Sequence, residues 1–220
     1  SKDNSDGSKK TPLQILDELE FNKDKIFRVL PEIFKLPTKN NMDAIWLPFN
    51  TLWRISNKII TTNYDTALEN VSNKPPFVQT VLYYKKHQLG QLINDNGFLF
   101  KLHGCVHDEP RKCIVFQNQY DELYKDVAIG TSKETEEHEA KFLLKHLLTR
   151  YSILFLGYGI KDDTEIENIF NRLDILLSKI NDKKHFRISL ESDSINRKYL
   201  NNIIIDNYTE LPEYLSNLSL

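Results

Sequence analysis

Three short apolar runs along the chain stop abruptly in polar clusters: KIITTNYD at 58–65, FLFKLHG at 98–104 and ILFLGYGIKDD at 153–163. In each, β-forming residues give way to threonine, asparagine, histidine, glycine or aspartate. A buried strand leaving a sheet delivers polar side chains at its carboxyl end. In open α/β sheets that end is where ligands bind. The pattern therefore predicts three strands feeding one pocket.

The remaining segments alternate with these strands. Thr11-Pro12 reads as an N-cap and first helical residue, opening a helix with Leu13, Leu16 and Leu19 on its apolar stripe. A second helix is predicted over 24–34, with Pro31 as a bend or break, and a third over 41–57, interrupted at Pro48. The third carries Trp46 and Trp53 at helical spacing, which reads as core packing. Further helices are predicted over 66–70, 118–125, 135–150, from Asp163 or Thr164 to about 179, 194–201 and 211–218. Extended pieces are predicted over 77–84, 113–116, 184–190 and 203–206. Alternation of strand and helix through the second half is the signature of a mostly parallel sheet covered on both faces. The expected unit is one domain over 1–220, with a helical part at about 11–57 and a Rossmann-like α/β/α core from about 58.

Composition narrows the class. A chain of 220 residues can bury a real core, and a net charge of −2 supplies no basic field for nucleic acid. No apolar run reaches the roughly 18 residues that span a bilayer. The polar start SKDNSDGSKK is not a signal peptide, so the cytoplasm is the expected location. Cys105 and Cys113 are eight apart with no CxxC pair. With His103 and His107 they could make up four ligands, but the spacing fits free thiols in a reducing compartment better than a zinc knuckle.

Each polar cluster has a bland role beside a chemical one. Asp65 can form an Asx turn that caps the next helix. Asn63 precedes that cap position and is expected to point into the crevice. His103 has an imidazole that titrates near working pH, and Gly104 after it allows a close approach of backbone or ligand. A histidine after a strand can equally be a satisfied interior residue. Gly157-Tyr158-Gly159 joins a strand to a helix and is a partial match to a dinucleotide loop. Asp162 and Asp163 beside it would repel phosphate, which favours a ribose or an adenine edge as the neighbour. Glu69 reads as part of a solvated helix face.

Taken in order, TTNYD, KLHG and LFLGYGIKDD resemble the sirtuin superfamily of NAD-consuming enzymes, most of all its zinc-free bacterial branch in antiphage defence proteins. Ile114-Val115-Phe116 with Tyr120 and Tyr124 is similar to the segment that follows HG in that branch. The resemblance implies catalytic roles for Asn63, which would orient the nicotinamide ribose and the attacking water, and for His103, which would bond a ribose hydroxyl and accept its proton. It implies NAD contacts at Thr61, Thr62, Asp65, Gly157, Tyr158, Gly159 and Asp162. Ser1 would be the serine of the family's GAGxS motif, whose glycines and strand would then precede this chain.

The four-cysteine zinc lobe of sirtuin deacylases has no counterpart here. The resemblance therefore implies NAD hydrolysis to nicotinamide and ADP-ribose, with NAD as substrate and no zinc. It also implies a homo-oligomer, a further domain or a partner protein that gates activity. The alternatives are a non-catalytic module that binds NAD, ADP-ribose or a partner, and a protein deacylase or ADP-ribosyltransferase.

Overall fold

The computed structural model describes residues 22–36, 43–94, 96–124, 127–128, 135–157, 167–173, 185–193 and 200–218. The chain divides into two compact units, Ser1–Lys141 and Phe142–Leu220. The expected helix from Thr11 and residues 158–166, which follow Gly157 in the sequence, lie outside the described residues.

In the first unit, helices α1 (Lys23–Ile33) and α2 (Asp43–Ile55) precede a parallel sheet of β1 (Lys58–Thr61), β2 (Gln79–Leu82) and β3 (Phe98–Lys101) in the order β1-β3-β2. Strand β3 lies between two partners, and Phe98, Leu99 and Phe100 are each at most 2% exposed. A central parallel strand is buried on both faces, which is why it reads as an unbroken apolar run. Trp53 of α2 packs with Ala67, Leu68, Val71, Val78 and Leu99, and its indole N–H donates to the Leu68 carbonyl at 2.9 Å. It is a core residue, as its spacing predicts. Helix α1 sets Phe27 and Leu30 against Val106, Cys113, Val115 and Phe116, with Phe27 edge-on to Phe116.

Short helices α3 (Ala67–Asn70) and α4 (Lys86–Leu89) follow β1 and β2, and α5 (Gln117–Tyr124) follows the loop after β3. A two-residue ribbon, β4 (Val127–Ala128) with β5 (Thr135–Glu136), then leads to α6 (Glu139–Arg150). In the second unit, β6 (Leu154–Leu156), β7 (His185–Ser189) and β8 (Leu200–Ile204) form another parallel sheet, with helical residues 167–173 and a closing α7 (Leu211–Leu218). Parallel sheets flanked by helices agree with the expected Rossmann-like α/β class.

Several boundaries differ from the sequence reading, for local reasons. Helix α1 runs through Pro31 and α2 through Pro48. Residues 113–116 are not a strand: the Ile114 N–H donates to the His103 carbonyl, while those of Val115 and Phe116 donate to Gln119 Oε1. The donors that a ladder would use are spent on a loop and a side chain. The helix expected from 135 begins at Glu139, because His138 Nδ1 accepts the Ala140 N–H at 3.1 Å and caps it. The last strand starts at Leu200 rather than 203 and takes the end of the helix expected over 194–201.

Candidate functional site

The site is built where β1 and β3 end. These strands pair in parallel with Thr61 opposite Lys101, and the Leu102 N–H carries the ladder one step further by donating to the Thr61 carbonyl at 2.9 Å. Asn63 and His103 each lie two positions beyond that last pair. The register thus brings the amide and the imidazole out of neighbouring strands at one sheet edge.

The turn after β1 is held from several sides. Thr61 Oγ1 accepts the Asn63 N–H at 3.1 Å, so the chain bends as soon as the strand stops. Asp65 Oδ1 accepts the Ala67 N–H at 2.8 Å, which is the helix-capping role its position allows. The Tyr64 hydroxyl donates to the Ile114 carbonyl. Thr62 is half-buried and Asn63 is exposed.

Beneath the turn lies a residue that the sequence reading missed. Lys101 is 1% exposed, forms a 3.1 Å ion pair with Glu69 and donates to the Asp65 carbonyl. Glu69 is therefore not on a solvated face: its side chain is 18% exposed and aimed at the ammonium. The available signal was a lysine inside the apolar run FLFKLHG, since a buried charge needs a partner.

His103 lies under α5. It is 4% exposed, and its Nε2 is 2.7 Å from the Tyr124 hydroxyl. The Tyr120 ring stands edge-on to the imidazole at 5.2 Å, and Tyr120 stacks on Tyr124. Gly104 has φ of +92°, and a Cβ there would sit 3.0 Å from the Lys112 carbonyl. The close approach that this glycine allows is thus one of backbone, and it folds the 105–116 loop back against His103. Cys105 and Cys113 are free and buried in that loop. Burial, aided by the neighbouring Cys105, pushes the Cys113 thiol up to about 12, so it stays protonated.

Beyond β2, a cavity of about 260 Å³ is lined by Tyr83, Tyr84, Lys112, Gln119, Glu122 and His138, among others; neither Asn63 nor His103 lines it. Burial works to raise the Asp108 carboxyl, but hydrogen bonds from Lys85 and Tyr84 outweigh it and hold that group below its usual range.

Gly157 follows β6 with φ of +60°, a left-handed conformation that suits glycine. It belongs to the second unit. Ser1, Tyr158, Gly159 and Asp162 lie outside the described residues. The second unit also holds His185, Arg187 and Ser189 buried along one face of β7, a polar stripe that the sequence reading did not single out. Among the described residues there is no group of three His, Cys, Asp or Glu side chains placed to hold a metal ion. Nor, among them, is any helix long and apolar enough to cross a membrane.

Comparison with curated proteins gives no match. The family model of the SIR2-like domain matches residues 57–208. That span begins one residue before β1 and contains both polar strand ends of the first unit, the loop between β3 and α5, and all three strands of the second sheet. The chain belongs to the SIR2-like domain family, and is a sirtuin-like, NAD-related module.

Proposed function

We propose that this chain is an NAD glycohydrolase domain of the zinc-free bacterial type, acting in antiphage defence by depleting cytoplasmic NAD. What supports this reading is the shared register of β1 and β3, from which Asn63 and His103 leave together, inside the span that the family model matches.

The reaction breaks the bond between nicotinamide and ribose C1′. Its electron pair moves onto the pyridinium nitrogen and neutralises it, while water adds to C1′ and loses a proton. Such an oxocarbenium-like transition state needs a held sugar and a placed nucleophile more than a strong base. Asn63 orients the nicotinamide ribose and the water. His103 bonds a ribose hydroxyl and takes its proton as that hydroxyl takes the one the attacking water loses, so a single proton leaves by way of the imidazole. Asp65 holds the turn through its bond to Ala67, and Thr61 and Thr62 line the same edge. For Gly157, Tyr158, Gly159 and Asp162 an adenosine role, and for Ser1 a pyrophosphate role, are proposed from the sequence motif alone. A homo-oligomeric state, a further domain or a partner protein gates the activity.

The test is nicotinamide release from NAD by the protein with any flanking domains and its activator present. Asn63→Ala and His103→Ala should each lower turnover by about 10²–10⁴. Wild-type turnover in both would refute these roles.

One observation favours a second reading, a module that binds NAD or ADP-ribose without cleaving it: the His103 imidazole is buried and already bonded to Tyr124. That reading expects NAD to raise the melting temperature while no nicotinamide is released.

A further inference from the structure

We infer that α5 is a gate over His103, with the Tyr124 hydroxyl as its latch. This rests on the reading of His103 as a group that meets the nicotinamide ribose. The two side chains proposed to work on one sugar leave the same sheet edge, yet they differ sharply in access. Asn63 is exposed, whereas His103 is 4% exposed. Its Nε2 has the Tyr124 hydroxyl at 2.7 Å, the distance and chemistry that a sugar hydroxyl would offer. The Tyr120 ring packs against the same imidazole in a T-shaped contact. A ribose hydroxyl can reach that nitrogen only by displacing the phenol.

The helix that carries both tyrosines is short and held at its two ends. At its start, Gln119 Oε1 accepts the Val115 and Phe116 N–H groups. At its end, the buried Lys141 ammonium donates to the Tyr124 carbonyl while paired with Glu137 at 3.4 Å. Gln119 and Glu122 of the same helix line the 260 Å³ cavity. The Lys141 bond is the anchor that ties the Tyr124 end of α5 to another element, and its release is the step that would let Tyr124 leave the imidazole. The closed arrangement keeps the histidine from substrate until α5 moves.

Carbethoxylation by diethyl pyrocarbonate, read by mass spectrometry at each histidine, measures the gate without needing activity. His87 and His107 are exposed and serve as internal references. In the wild-type protein His103 should label roughly ten times more slowly than His107, as expected for a site reached only through local opening. Tyr124→Phe keeps the ring and removes the latch. It should speed His103 labelling by about two- to tenfold, the factor that one hydrogen bond contributes to a two-state equilibrium, and leave His87 and His107 unchanged. Nicotinamide release should rise by a similar factor. Labelling of wild-type His103 as fast as His107 would overturn the gate, and so would unchanged labelling in the variant. Faster labelling with slower turnover would overturn it too, since the hydroxyl would then serve the reaction. If labelling follows the expectation while neither protein releases nicotinamide, the gate stands and the hydrolase reading falls.

Discussion

Replacing Lys101 with methionine removes one partner of a buried charge pair and leaves the other in place. At 3.1 Å and an effective dielectric of about 20, the attraction between the two unit charges is about 5 kcal/mol. Methionine restores most of the packing of the lysine stem but none of that attraction, and the Asp65 carbonyl loses its charged donor. Glu69, with 18% of its side chain exposed, regains only part of its hydration, and its Oε2 already has no hydrogen-bond partner. Breaking a buried pair from one side typically costs about 3–5 kcal/mol, and the partial exposure of Glu69 places the expected loss near 3. The measurement is urea unfolding followed by far-UV circular dichroism, with the midpoint and slope fitted together. A double variant, Lys101→Met with Glu69→Gln, leaves no stranded charge and should recover at least about half of the loss. The reasoning fails if Lys101→Met lies within about 0.5 kcal/mol of wild type, or if the double variant is as unstable as the sum of the single ones. Because the same ammonium holds the Asp65 carbonyl, Lys101→Met should also lower NAD turnover if the turn positions Asn63.

Two other substitutions test neighbouring parts of the site. Gly104→Ala forces a side chain into a left-handed backbone and within 3.0 Å of the Lys112 carbonyl; a loss of about 1–2 kcal/mol or more in the same unfolding assay is expected. Burial pushes the His138 imidazole below its ordinary value of 6.5 against the pull of Glu139, so the unfolded chain takes up that proton at a higher pH than the folded one. Its contribution is therefore complete above about pH 6.5 and is lost as the pH falls through the lower folded value. Protonation would also remove the acceptor that caps α6. His138→Gln keeps an acceptor and does not titrate, so its unfolding free energy should be flatter than wild type between pH 7 and 5; an unchanged slope would show that another group carries it.

The apolar runs and their polar stops were enough to place β1, β3 and β6, the Asx cap at Asp65, the core role of Trp53 and the candidate pair Asn63 and His103. These features are local: burial period, turn chemistry and capping are written within a few residues of where they act. The TTNYD, KLHG and LFLGYGIKDD clusters, read in order, also carried the family. Register is a different kind of fact. Nothing near Asn63 says that β1 and β3 pair with an offset equal to the separation of Asn63 from His103, because that depends on how two distant apolar faces fit together. The same holds for polar pairing across the chain. Glu69 reads as solvated and Lys101 goes unremarked in the sequence, and only the sheet puts one beneath the other. Residues 113–116 have the composition of a strand, but their N–H groups go to His103 and Gln119. Only the tertiary structure decided that α5 lies over His103, since the burial of an imidazole is set by what packs upon it and not by its own neighbours in sequence.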